Sequence, residues 1–180
     1  ETLGAYSPFE RGAAVALCAQ AVGGHRAAVE PLAELPEVKR RMELRGIARG
    51  GAVYDDFAHH PTAIRTTIEG LRHKVGSARI LAVLEPRSNT MKQGVMKAAL
   101  PGSVADADRV FVYTANLGWD AQAVFSPLGA RAHCVDEIAA LVEAINAAAR
   151  PGDQVLVMSN GGFGGIHAKL LERLAQAPAR

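Results

Sequence analysis

Two carboxylates and two imidazoles fall within six positions in the segment Asp55-Asp56-Phe57-Ala58-His59-His60, directly before Pro61. Proline is favoured in the first turn of a helix, so these side chains stand where free N–H groups and a partial positive charge favour an anion. In that setting Asp56 can accept from a ribose or bind a cation. Capping by Asp56 and His60 would use part of the pattern, yet two adjacent histidines behind two aspartates exceed what a cap requires. Asp55, Asp56, His59 and His60 are also metal-ligand types, which admits a metal-dependent phosphoesterase. No third or fourth ligand at a recognisable spacing lies nearby, so no metal site is assigned.

Three further segments are rich in groups that bind. Glu85-Pro86-Arg87-Ser88-Asn89-Thr90-Met91-Lys92 offers a guanidinium able to grip a carboxylate or phosphate in bidentate fashion, short hydrogen-bonding side chains and a point charge. A solvated loop capping a helix through Ser88 or Asn89 would explain it equally well. Asn116-Leu117-Gly118-Trp119-Asp120 holds the single tryptophan, a residue that is often a core anchor. Ser159-Asn160-Gly161-Gly162-Phe163-Gly164-Gly165-Ile166-His167 packs four glycines into five positions ahead of a helix, which allows close backbone approach to a ligand. It matches neither G-x-G-x-x-G nor the G-x-x-x-x-G-K-[ST] phosphate loop.

The elements that must position these segments read as an alternation. Helices are expected over 8–22 and 27–35, with a break at Pro36. Arg41 to Ala48 and Ala52 to Phe57, joined by Gly50-Gly51, form a β-hairpin. A helix runs from Pro61 to a stop at Gly76, and Ile80 to Leu84 is a strand buried on both faces. A helix over Met91 to Leu100 ends at Pro101-Gly102, and Arg109 to Thr114 is the next strand. A minor strand spans Arg131 to Val135, Asp136 caps a helix through Ala149, and Pro151-Gly152-Asp153 turns into the strand Gln154 to Met158. A last helix covers Ile166 to Leu174. The pattern implies an α/β fold: a Rossmann-like, mostly parallel sheet with helices on both faces and an N-terminal β-hairpin, preceded by two helices. In such sheets ligands sit beyond the carboxyl ends of the strands, where all four segments fall. Together they describe a polar pocket of complementary charge for a zwitterionic or phosphorylated ligand.

Composition narrows the class. The chain has 180 residues, 49% hydrophobic and 21% charged, enough for one core and unlike a disordered chain. A net charge of +2 with interspersed signs gives no basic face for nucleic acid. Cys18 and Cys134 cannot build a disulfide scaffold, and no apolar run is long enough for a membrane span or begins as a signal peptide does. A soluble, cytoplasmic protein is expected.

Taken together, VKRRMELRG (Val38 to Gly46), VYDDFAHHPTAI (Val53 to Ile64), LEPRSNTMK (Leu84 to Lys92), ANLGWD (Ala115 to Asp120) and VMSNGGFGGIH (Val157 to His167) resemble the carboxyl-terminal domain of the Mur ligase family. The aspartate-to-HHP segment is shared with UDP-N-acetylmuramate–L-alanine ligases. The SNTMK, NLGW and SNGGFGGIH segments resemble more closely the member that acts in peptidoglycan recycling. That resemblance implies ATP-dependent joining of UDP-MurNAc to the tripeptide L-Ala-γ-D-Glu-meso-diaminopimelate, through phosphorylation of the lactyl carboxylate and attack by the tripeptide amine. It implies that residues 1–36 are a helical remnant of an ATP-binding domain and residues 37–180 the incoming-substrate domain. By the same resemblance Arg41 and Asp56 contact the nucleotide, and His59 and His60 lie near the reacting centre, with His59 a conceivable proton acceptor. Arg87, Ser88, Asn89, Lys92, Asn116, Trp119, Asn160, Gly161, Gly162, Gly164 and Gly165 shape the substrate pocket.

ATP and Mg2+ are the implied cofactors, held mainly by a central domain whose phosphate loop these residues lack. The partners implied are UDP-MurNAc, the murein tripeptide and the N-terminal and central domains. The segment by itself is expected to show negligible ATP turnover. Alternatives are the corresponding domain of an alanine ligase, a non-catalytic nucleotide- or peptide-binding module, and the phosphoesterase.

Overall fold

The computed structural model describes residues 39–176. The two helices expected before Pro36, and the domain boundary placed there, lie outside the described residues. From there the chain runs through β1 (Glu43–Ala48), β2 (Gly51–Asp56), α1 (Pro61–Val75), β3 (Ile80–Leu84) and the single-turn helices α2 (Asn89–Lys92) and α3 (Leu100–Ser103). Then follow β4 (Arg109–Tyr113), α4 (Ala121–Phe125), β5 (Ala132–Val135), α5 (Ile138–Ala148), β6 (Gln154–Met158) and α6 (Ile166–Gln176). The six strands stand in the order β1-β2-β6-β3-β4-β5. Only β1 runs antiparallel, in the hairpin with β2; β2, β6, β3, β4 and β5 are parallel.

Strand periodicity of two divides the core into two layers. Ala82, Leu84, Val110, Val112, Leu156 and Met158 pack with Ile64, Ile68 and Leu71 of α1 and with Leu100 and Phe125. The alternate residues Leu81, Val83, Phe111, Val155 and Val157 pack with Leu141 and Ile145 of α5 and Ile166 and Leu170 of α6. Every residue of β3 is buried, which is why it reads as an unbroken apolar run. Burying one such side chain is worth about 1.5–3 kcal/mol, so these two layers carry the stability of the fold.

Two local expectations are corrected. The helix expected over Met91 to Leu100 is broken: α2 stops at Lys92, and a 3-10 turn over Lys97–Ala99 leads into α3. Gly94 lies between them at φ 73°, and a side chain there would meet the Trp119 ring at 2.9 Å. Pro101 sits in the first turn of α3, where its missing N–H costs nothing, rather than beyond a helix end. Nor does Asp136 cap α5. Glu137 occupies the cap position, and no side chain bonds the first turn. The short helix α4, unforeseen, is capped by Asp120, whose carboxylate accepts from Ala123 N–H at 3.1 Å.

Candidate functional site

Parallel pairing brings the carboxyl ends of β2, β6, β3 and β4 side by side, and the loops that leave them are residues 57–60, 159–165, 85–88 and 114–120. This edge of an open α/β sheet has backbone N–H groups free of the ladder, so a ligand can be met by loops from several strands at once.

Asp55 and Asp56 end β2 and point to opposite faces. Asp56 is 2% exposed and holds the chain around it: its carboxylate accepts from Met42 N–H and Ala58 N–H, each at 2.8 Å, and from Thr67 Oγ at 3.3 Å. Burial raises its pKa, against the pull of these donors and of Arg41. Asp55 meets Arg40 Nε at 3.3 Å and His167 Nε2 at 3.3 Å, the latter off the line of a good hydrogen bond. Burial opposes its charge, but His167 and Arg40 outweigh burial and hold its pKa below the ordinary aspartate range. Arg40 also donates to Ser159 O at 2.5 Å, so this cluster ties the segment before β1 to the loop after β6. Arg41, exposed, has its guanidinium 5.7 Å from the Phe57 ring centre.

The contacts of the two histidines favour opposite tautomers. His59 Nδ1 lies 2.9 Å from Phe57 O; a carbonyl only accepts, so Nδ1 of the neutral ring carries the proton and Nε2 keeps its lone pair. His60 caps α1 by accepting from Thr62 N–H on Nδ1, which leaves its Nε2 a donor. Side by side, the pair presents one base and one hydrogen-bond donor.

The loops after β3 and β6 interlock. Ser159, fully buried, donates to Glu85 and accepts from Gly161 N–H at 2.9 Å. A Cβ on Gly161 would meet Arg87 Nη1 at 1.8 Å, so the guanidinium crosses the bare glycine backbone and only glycine leaves it room. Asn160 Oδ1 is buried and has no partner among the described residues, an acceptor left unused beside that guanidinium loop. Gly164 and Gly165, at φ 55° and 70°, carry the chain through a 3-10 turn into α6, while Gly162 caps that turn. Tyr113, the last residue of β4, packs against Phe163 with ring centres 5.5 Å apart and planes tilted by 50°. Burial raises its phenol pKa, and Glu137, Glu85 and Asp136 raise it further, which marks carboxylates gathered on this side.

Ser88 caps α2 by accepting from Met91 N–H at 3.3 Å. Trp119 Nε1 donates to Met91 O at 2.7 Å and Gly118 N–H to Lys92 O at 3.0 Å, so the loop after β4 is docked on α2. Asn89 and Asn116 are exposed at that rim, Asn116 at φ 60°. Sequence reasoning thus nominated residues that the fold does gather at one edge. It missed Arg40, Glu85, Tyr113 and His167, although Glu85 and His167 lie within the quoted motifs and Arg40 precedes a nominated arginine. Among the described residues no group of three or more His, Cys, Asp or Glu stands together as a metal site.

Comparison with known proteins identifies the family. Residues 40–161 match the family described as Mur ligase, glutamate ligase domain. The chain is 51% identical over 151 residues to the Escherichia coli UDP-N-acetylmuramate–L-alanyl-gamma-D-glutamyl-meso-2,6-diaminoheptandioate ligase, covering 83% of this chain and 33% of that protein. It is 37% identical over 144 residues to the Mycobacterium ulcerans UDP-N-acetylmuramate–L-alanine ligase, covering 74% of this chain and 29% of that protein. The crystal structure of a murein peptide ligase from Psychrobacter arcticus superposes with a TM-score of 0.73 at 35% identity, over 92% of this chain and 36% of that one. The chain therefore spans about a third of the length of the relatives it matches. With the matched residues running from the Arg40 cluster to the Gly161 loop, the chain belongs to the Mur ligase family, as its carboxyl-terminal, glutamate ligase domain.

Proposed function

We propose that the chain is the incoming-substrate domain of an ATP-dependent ligase that joins UDP-MurNAc to L-Ala-γ-D-Glu-meso-diaminopimelate in peptidoglycan recycling. The observation that carries this reading is the gap between 51% identity to a ligase named for that tripeptide and 37% to one named for L-alanine. The site supports it. A peptide with several carboxylates and amines needs cationic and acidic groups on one rim, and Arg87 stands here with Glu85, Glu137 and Asp136 on the neighbouring loops.

ATP and Mg2+ supply the activation of the carboxylate when bound. Arg41 fits a phosphate: it is exposed and makes no hydrogen bond to any described residue. Asp56 supports it through the Met42 N–H beside it, because the aspartate oxygens are occupied by the chain's own donors. The same occupancy, with Asp55 held by Arg40 and His167, engages both carboxylates on which the phosphoesterase reading depends. The attacking amine must lose a proton, and His59 Nε2 holds the lone pair to take it. His60 Nε2–H is placed to donate to an anionic oxygen.

Calorimetric titration of the chain with the tripeptide and with L-alanine tests the substrate class. Saturable heat is expected from the tripeptide alone; tighter binding of L-alanine would overturn the reading.

A further inference from the structure

At the opposite edge of the sheet, by the amino-terminal ends of β4 and β5, the structure contains a cavity of about 270 Å3. Its origin is legible in the packing. Arg109 and Phe111 of β4 and His133 of β5 share the face that α5 covers, since Phe111 pairs with His133 and the strands alternate. Over this outermost part of the face the residues that α5 presents are the alanines Ala144, Ala147 and Ala148, whose side chains are short. The space that remains has an apolar floor and ceiling and a cationic rim.

The rim is held in place. Arg109 Nη1 donates to Ala130 O, and Arg131 Nη1 donates to Ala105 O and Ala107 O at 3.1 and 3.2 Å. Each guanidinium is thus fixed by backbone carbonyls through one nitrogen and retains its other N–H donors. No carboxylate lines the cavity. The His133 ring stands 6.1 Å from Phe111 at 65°, an edge-to-face pair that makes an aromatic corner.

We propose that this cavity is a second binding site, for a small anion carrying a flat apolar group: a phosphate or carboxylate held by Arg109 and Arg131, its apolar body against Phe111, His133 and the alanines of α5. Fixed guanidiniums lose little freedom on binding such a head group, and the apolar walls favour an aryl over a bare ion. A site of this size takes one ring and its head group.

Phenyl phosphate, phenylacetate and inorganic phosphate serve as probes in NMR titrations of the whole chain, read at the His133 ring and the Ala147 methyl. Phenyl phosphate or phenylacetate should saturate these shifts, with inorganic phosphate at least about tenfold weaker. Two exposed positions supply variants that spare the core. Ala147→Leu fills the cavity, and Arg131→Gln keeps a donor for the carbonyls while removing the charge. Each should weaken the aryl ligand about tenfold or more. No saturable shift, equal affinity for inorganic phosphate, or an effect unchanged by both variants would overturn the proposal.

Discussion

At the scale of single residues, the motifs name chemistry but not partners. The sequence shows Asp55-Asp56 as a pair; the fold separates them, one in a charged cluster and one binding backbone. His167 lies far away along the chain, so no spacing rule could supply it, whereas Met42 comes to Asp56 across the hairpin. Their environments give opposite pH behaviour. Folding lowers the pKa of Asp55, so its contribution is complete above the ordinary value of about 3.9 and disappears as pH falls through the lowered native value. Asp56, whose pKa burial raises, has the reverse sign: the native state holds its proton more tightly, so it does not contribute to acid unfolding. Asp55→Asn should therefore cost about 1.5–3 kcal/mol at pH 7 and progressively less below about pH 4, measured by denaturant unfolding. An equal loss at both pH values would contradict the ion-pair account. Gly161→Ala probes the other loop. The Cβ falls on the flexible end of Arg87, so unfolding free energy should change by about 1 kcal/mol or less while tripeptide affinity drops about tenfold. Calorimetry and thermal melts separate the two effects.

At the scale of elements, legibility followed burial. β3 and β6 were read to the residue, because a strand covered on both faces leaves a continuous apolar run with turns at its ends. The stretch from 91 to 100 departs from its helical apolar spacing at Gly94, which takes φ 73° and leaves room for the ring of Trp119, a residue of a different loop. Tertiary contacts also explain a residue that no motif flagged. Arg49, in the hairpin turn, donates to Asn146 O and Ala149 O at the end of α5, to Asn146 Oδ1, and to Leu174 O near the end of α6. One guanidinium thereby satisfies carbonyls that two helices leave open, and its charge opposes both helix dipoles. Arg49→Ala should destabilise by about 2–3 kcal/mol in urea unfolding, and Arg49→Lys should recover less than half, since an ammonium cannot span the same fork. Full recovery by lysine would show that charge alone is at work.

At the scale of the molecule, the fold class and the edge where the site lies followed from strand–helix alternation, whereas the reaction did not. A sheet edge with a guanidinium, carboxylates and an imidazole base can serve many ligands; the family match narrows it, and the chain spans about a third of the length of its relatives. Under the proposed function, the choice of incoming substrate lies in this third. The direct test is a chimera in which residues 37–180 replace the corresponding region of the E. coli ligase, assayed for ADP release with UDP-MurNAc and either the tripeptide or L-alanine. Turnover with the tripeptide at least about tenfold above that with L-alanine is expected, falling at least tenfold again with Gly161→Ala. A folded chimera that prefers L-alanine, or that ignores Gly161→Ala, would contradict the assignment of substrate choice to this domain.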